Sequence, residues 1–257
     1  MSDFKGRFVW YELTTTDTKG AAAFYRDVVG WTSKDAAMPG MDYTMFMAGE
    51  MLVAGLMGMT EGAVKMSAPP NWTAYVAVDD VDASAEQAKR LGGGVLVPPG
   101  DIPNVGRFAV IFDPHKAPIA VFKGSGTMSE TPFKPNTPGR VGWHELMAGD
   151  WKSAFEFYSK LFGWQKAEAM DMGPMGTYQL FSAGGETLGG MMTKPETVPH
   201  PFWTYYFNVE GINAAAARVI KGGGKILGGP MEVPGGGWIV QCMDPQGSMF
   251  ALFGKKD

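Results

Sequence analysis

Trp10-Tyr11-Glu12-Leu13, followed by Asp17, Lys19, Ala21, Phe24-Tyr25 and Gly30-Trp31, returns 133 positions later. There it reads Trp143-His144-Glu145-Leu146, Asp150, Lys152, Ala154, Phe157-Tyr158 and Gly163-Trp164. Working outward, a second block returns at a spacing of 131, where Trp72-Thr73, Tyr75 and Val78 become Trp203-Thr204, Tyr206 and Val209. Pro103, Asp113-Pro114, Ala120 and Phe122 likewise become Pro234, Asp244-Pro245, Ala251 and Phe253. Loop changes absorb the small shift in spacing. A match over the whole length means two copies of one domain.

The 257 residues accommodate two domains, each of about 125 residues and large enough to bury its own core. Positions 1–124 form the first copy and 141–257 the second. Between them, residues 125–140 hold three prolines and two glycines, which suits an extended connector. With 22 basic and 26 acidic residues the net charge is −4, which argues against a nucleic-acid partner, since that needs a basic face. No run approaches the roughly 18 apolar residues of a membrane span, and Met1-Ser2-Asp3-Phe4-Lys5 lacks a secretory pattern. The single cysteine, Cys242, cannot form an internal disulfide and fits a reducing, cytoplasmic compartment. Its counterpart Ile111 points to a small buried apolar side chain.

Each half contains two similar submodules, a strand and helix followed by short strands. In the first, 8–14 is rich in strand formers, and Thr16, Asp17 or Thr18 can cap a helix. Ala21, Phe24, Tyr25 and Val28 give that helix an apolar stripe, and Gly30 stops it. Short strands follow around Met45 and over 52–57. In the second submodule 72–78 is a strand and 81–91 a helix, with strands near 95–97, 108–112 and 119–122. The second half repeats the scheme. Gly92-Gly93-Gly94 and Gly222-Gly223-Gly224 follow helices and lack a Lys-Ser/Thr ending, so they read as helix stops rather than phosphate loops.

In this order, Phe24-Tyr25-Arg26-Asp27-Val28-Val29-Gly30-Trp31 with Asp113-Pro114-His115-Lys116 resembles the vicinal oxygen chelate superfamily. Phe157-Tyr158-Ser159-Lys160-Leu161-Phe162-Gly163-Trp164 with Asp244-Pro245-Gln246-Gly247 repeats the match. That superfamily holds glyoxalase I, extradiol ring-cleaving dioxygenases and bleomycin-resistance proteins. The resemblance implies an α+β fold of two tandem glyoxalase-like domains. Each domain would pair two βαβββ modules in a curled, cup-shaped mixed sheet, with helices on the convex side.

Function must come from the site rather than the fold. In metal-dependent members, His, Gln or Glu ligands project from the first strand, the fourth, the fifth and the last. The resemblance places these positions at Trp10 and Trp143, at 54–57 and 189–192, at Thr73 and Thr204, and at Ala120 and Ala251. None of these suits a divalent cation, which takes imidazole, carboxylate or thiolate. No metal and no other cofactor is therefore expected, and glyoxalase or ring-cleaving chemistry, which needs the metal, is disfavoured.

Strand alternation sorts what remains. Glu12 shares a face with Trp10, and Glu145 with Trp143. Thr73 and Tyr75 face inward, as do Thr204, Tyr206 and Asn208. His144 takes the opposite face and reads as a core or rim histidine. His115 and His200 sit in loop sequence and read as solvated. An apolar cup with few converging polar groups suits a small aromatic or apolar ligand. Glu12 and Glu145 are costly to desolvate without a partner. Each either meets a ligand, pairs with backbone N–H groups, Arg107 or Arg140, or serves as a general base.

Three functions therefore stand open. The first is metal-independent binding of an aromatic or apolar molecule, on the precedent of bleomycin-resistance proteins. The second is a cofactor-independent lyase or isomerase using Glu12 or Glu145 as base. The third is an interaction module with filled cups. The four modules can pair within one chain, so a complete cup needs no second copy, and homodimerisation stays open.

Overall fold

The computed structural model describes residues 4–37, 40, 42–65, 67–126 and 136–257. In the first half the elements are β1 (Phe8–Thr15), α1 (Thr18–Val29), β2 (Thr32–Asp35), β3 (Tyr43–Ala48), β4 (Met51–Gly58) and a short α2 (Glu61–Lys65). They continue with β5 (Asn71–Ala77), α3 (Val81–Arg90), β6 (Gly94–Ile102), β7 (Gly106–Phe112) and β8 (Pro118–Gly124). The second half runs β9 (Val141–Ala148), α4 (Trp151–Phe162), β10 (Gln165–Asp171), β11 (Thr177–Ala183) and β12 (Glu186–Thr193). It ends with β13 (Phe202–Gly211), α5 (Ile212–Lys221), β14 (Lys225–Val233), β15 (Gly237–Met243) and β16 (Met249–Lys255).

The helices start and stop where local chemistry directs. Asp17 caps α1 by accepting the Gly20 N–H at 2.9 Å, and Asp150 caps α4 by accepting the Ser153 N–H at the same distance. Gly30 and Gly163 end these helices at φ of 87° and 77°, a left-handed conformation that costs glycine nothing. The stripe expected on α1 is buried at Ala21, Phe24, Tyr25 and Val28. Two elements fall outside the expectations. Every residue of β2 is exposed and α2 buries nothing, so neither carries an apolar period to read.

Each half forms a curled, unclosed, mixed eight-stranded sheet. The strand orders are β2-β3-β4-β1-β5-β8-β7-β6 and β10-β11-β12-β9-β13-β16-β15-β14. Pairing is parallel for β1 with β4, β5 with β8, β9 with β12 and β13 with β16. Two of the four edge strands, β6 and β14, hold Pro98-Pro99 and Pro230, residues an edge tolerates because no ladder N–H is lost there.

By packing, the chain divides into two compact units, each drawn from both halves. One comprises Met1–Val9, Thr73–Pro132 and His144–Trp203; the other comprises Trp10–Trp72, Phe133–Trp143 and Thr204–Asp257. The repeated motifs hold each unit together internally. In the second unit, Trp72 Nε1 donates to the Tyr25 hydroxyl at 2.8 Å, which donates to Asp244 Oδ2 at 3.1 Å. Asp244 Oδ1 also accepts the Ser248 N–H at 2.8 Å, fixing the turn after its Asp-Pro. In the first unit, Trp203 Nε1 donates to the Tyr158 hydroxyl, and Asp113 accepts from the His115 and Ala117 N–H groups at 2.9 Å each. Burial pushes both aspartate carboxyls above their ordinary range, and the hydrogen bonds pull partly back.

A second tie is also duplicated. Trp31 Nε1 donates to the Gly139 carbonyl, and Trp164 Nε1 to the Gly6 carbonyl, both at 2.6 Å. The tryptophan that follows the first helix of each repeat is thus tied to chain outside that repeat. Among the described residues, no helix is long and apolar enough to cross a membrane.

Candidate functional site

On β1, Trp10 and Glu12 share one face while Leu13, wholly buried, takes the other. The parallel neighbour β4 sets Gly55 opposite Glu12, and β3 sets Met45 opposite Gly55 and Tyr43 opposite Met57. Tyr43 therefore sits two strands away from Glu12 and must cross β4 to reach it. It does so because Gly55 has no side chain: a Cβ there would collide with the Tyr43 ring and hydroxyl. Lying over this glycine floor, the Tyr43 hydroxyl donates to Glu12 Oε2 at 3.0 Å and accepts from Trp10 Nε1 at 2.9 Å.

The direction of this chain is fixed. An indole N–H can only donate, so the phenol accepts there and its single proton goes to the carboxylate. Burial, and next the neighbouring Glu12 charge, push the Tyr43 phenol well above its ordinary value, so it stays neutral. Glu12 accepts from this phenol through Oε2.

The second copy repeats the device. Register places Gly190 of β12 opposite Glu145 of β9, and the Tyr178 hydroxyl donates to Glu145 Oε2 at 3.0 Å. A Cβ at Gly190 would again collide with the tyrosine ring. The copies differ in access. Glu12, Tyr43 and Thr73 are half-buried, whereas Glu145, Tyr178 and Thr204 are buried.

The other expected site residues fall on the anticipated strands. Trp143 is half-buried on β9. Tyr75, buried on β5, pairs in register with Ala120 and meets Phe108 at a tilt and Phe122 edge-on. Tyr206, buried on β13, pairs with Ala251. Asn208 donates through Nδ2 to the Thr137 carbonyl at 3.2 Å, so its amide helps to hold the chain that leads into β9. The structure brings Trp10 and Glu12 together through Tyr43, a residue not among those expected from sequence. Its signal is faint but present: Tyr43 precedes Gly55, and Tyr178 precedes Gly190, by the same twelve residues.

Both arginines considered as partners for the glutamates make contacts with other residues. Arg107 bridges Asp82 and Asp101, and Arg140 points a guanidinium nitrogen at the Met51 sulfur. His144 is a core residue: its Nδ1 lies 2.6 Å from the Leu188 carbonyl, its ring stacks 3.7 Å from Phe8, and burial lowers its pKa to about 3. His115 is half-buried rather than solvated, with Nδ1 3.3 Å from Ser153 Oγ, whereas His200 is exposed. Burial pushes the Cys242 thiol up to about 12, which leaves it unreactive. A groove of about 960 Å³ in the second unit, lined by Gly30, Met51, Gly139, Gly211 and Arg218 among others, includes none of the expected site residues.

The residues at the ligand positions of metal-dependent relatives do not fit a divalent cation. They are indole, methyl, glycine, threonine hydroxyl and aliphatic or thioether side chains rather than imidazole, carboxylate or thiolate, and Glu12 and Glu145 each accept from a phenol. Among the described residues, no three His, Cys, Asp or Glu side chains converge on one point.

The family model for the Glyoxalase/Bleomycin resistance protein/Dioxygenase superfamily matches residues 7–121 and again 140–252. CFP32 of Mycobacterium tuberculosis (strain CDC 1551 / Oshkosh), whose name marks it as a candidate glyoxylase, is 32% identical over 245 residues, covering 95% of this chain and 92% of that protein. The anthracycline biosynthesis protein DnrV of Streptomyces peucetius is 30% identical over 260 residues, covering 96% and 92%. The Mn(II)-bound glyoxalase from Novosphingobium aromaticivorans superposes with a TM-score of 0.63 at 17% identity, covering 99% and 83%, a likeness of fold alone. Matched twice along its length by one family model, and related end to end to these two proteins, the chain belongs to the Glyoxalase/Bleomycin resistance protein/Dioxygenase superfamily.

Proposed function

We propose that this chain binds a planar aromatic or largely apolar small molecule without a metal, at the face carrying Trp10, Glu12 and Tyr43. The observation that carries this reading is the hydrogen-bond chain Trp10 to Tyr43 to Glu12, laid across a glycine floor and half-buried. Aromatic faces with a few oriented polar groups are the usual composition of a small-molecule site. End-to-end kinship with a protein of anthracycline biosynthesis adds weight to an aromatic ligand. The donor-poor side chains at the ligand positions of metal-dependent relatives support binding without a cation.

The test is titration of intrinsic tryptophan fluorescence with anthraquinone and naphthoquinone compounds, with metal content measured in parallel. Saturable quenching by at least one compound is expected from protein stripped of metal. A flat response across the panel, or quenching only after a transition metal is restored, would defeat the proposal.

A second reading is favoured by the direction of the same chain. A glutamate that accepts a hydrogen bond from a phenol beside an aromatic face is suited, when ionised, to proton abstraction from a bound molecule, in lyase or isomerase chemistry. Under this reading Glu12→Gln removes turnover while leaving ligand affinity largely intact. A variant that keeps turnover would eliminate Glu12 as the base.

A further inference from the structure

We infer that the second unit carries a separate groove for an elongated zwitterion the size of a di- or tripeptide, whose ammonium group meets Glu210 and whose carboxylate meets Arg218. The groove, of about 960 Å³, is of the size that takes small molecules, and none of Trp10, Glu12 and Tyr43 lines it.

The repeat provides an internal reference. In the first unit Lys5 pairs with Asp79 at 3.4 Å, and Arg7 with Glu186 at 2.7 Å. At the matching positions of the second unit, Pro138 takes the place of Lys5, Glu210 of Asp79 and Met51 of Glu186. Backbone bonds match as well: Gly6 donates to the Ala77 carbonyl at 2.9 Å, and Gly139 to the Asn208 carbonyl at 2.8 Å. The acid is thus kept at Glu210 while its lysine is replaced, and Pro138 and Met51 both line the groove. Arg218 changes in the opposite sense. Its counterpart Gln87 donates an amide proton to the Lys160 carbonyl at 2.8 Å. Arg218 makes the same kind of bond, to the Val28 carbonyl at 3.0 Å, and adds a positive charge.

Of the charged residues lining the groove, two are already engaged. Asp27 accepts from Arg26 at 2.9 Å, and the Asp257 side chain accepts the Asn213 and Ala214 N–H groups in the first turn of α5. Glu210 is exposed and Arg218 half-buried, and among the described residues neither takes part in an ion pair. These two are of opposite sign. A simple cation complements one and is repelled by the other, as is a simple anion; a molecule carrying both charges complements both. Glu210 directly precedes the Gly211 that opens α5, and Arg218 lies about 9 Å along the helix axis beyond Ile212. An extended peptide of two or three residues separates its charged ends by about 7–10 Å, at about 3.4 Å per residue. Met51, Val209 and Ala214 add apolar lining for its side chains.

Isothermal titration calorimetry of the full chain with trialanine, N-acetyl-trialanine and trialanine amide provides the test, with circular dichroism melts confirming that each variant folds. Trialanine is expected to bind saturably, and blocking either end to weaken it about threefold or more, the worth of one largely exposed ion pair. Glu210→Gln is expected to remove the effect of the acetyl group alone. Arg218→Gln, which installs the residue of the matching position and retains an amide donor for Val28, is expected to remove the effect of the amide alone. Pro138→Lys, which supplies the lysine found in the first unit, should weaken trialanine by a similar factor. If Arg218→Gln does not fold, the exposed Glu210→Gln and Pro138→Lys decide the matter. Absence of saturable binding, or equal affinity of the three peptides, would overturn the proposal. End-group effects that persist in the variants would put the peptide outside this groove and overturn it equally.

Discussion

An imidazole stacked 3.7 Å from Phe8 and bonded to the Leu188 carbonyl carries its proton on Nδ1 and resists a second. Folded, His144 titrates near 3; unfolded, it takes a proton near its ordinary 6.5. Between these values the unfolded chain binds more protons, so stability rises with pH and is withdrawn on acidification from about 6.5 toward 3. The limit is on the order of 5 kcal/mol. Asp113 and Asp244, whose carboxyls are raised by burial, act in the opposite sense, since protonation relieves them as pH falls. The contribution of His144 is isolated by comparing urea midpoints of the parent and His144→Phe at about pH 7 and about pH 4, where the variant should lose less stability. Equal losses would exclude the imidazole as the source. At the same scale, Gly55→Ala is expected to cost about 1–3 kcal/mol by overpacking, most of it recovered when Tyr43→Ala is added. A double-mutant cycle with no coupling would show that the ring does not rest on the glycine.

At the scale of elements, the Tyr25 hydroxyl is the joint between α1 and the turn that follows β15. Tyr25→Phe keeps the ring but deprives Trp72 Nε1 of its acceptor and Asp244 of a donor, so a loss of about 1–3 kcal/mol is expected in chemical denaturation. An unchanged midpoint would mean that the buried chain contributes nothing net. Helices α1 and α4 were legible in sequence because capping aspartate, apolar stripe and terminal glycine agree at each. Strand alternation likewise put Trp10 and Glu12 on one face. Strands β6 and β14 run further than expected, because Pro98-Pro99 and Gly228-Gly229-Pro230 read as breakers in a chain whose edge positions were unknown. Tyr43 stayed hidden for a related reason. Its bond to Glu12 spans two strands, and only register across β4 shows that the two side chains meet.

For the whole molecule, the two compact units cut across the two repeats. A fragment of residues 1–124 carries Tyr25 without Asp244 and Trp164's acceptor Gly6 without Trp164. It is expected to be unfolded or self-associated by sedimentation and circular dichroism, and mixing with a 125–257 fragment should restore a cooperative melt. A stable, monomeric, cooperatively melting 1–124 fragment would contradict this. The same interleaving governs how the protein is made. As the nascent chain leaves the ribosome, Tyr25 emerges more than two hundred residues before the aspartate it binds. The first unit lacks its last strands until about residue 203, and the second until Asp257 has been added. For most of translation the early aromatic side chains must wait without their partners, so a chaperone that shields apolar surface has its longest opportunity on the N-terminal seventy or so residues.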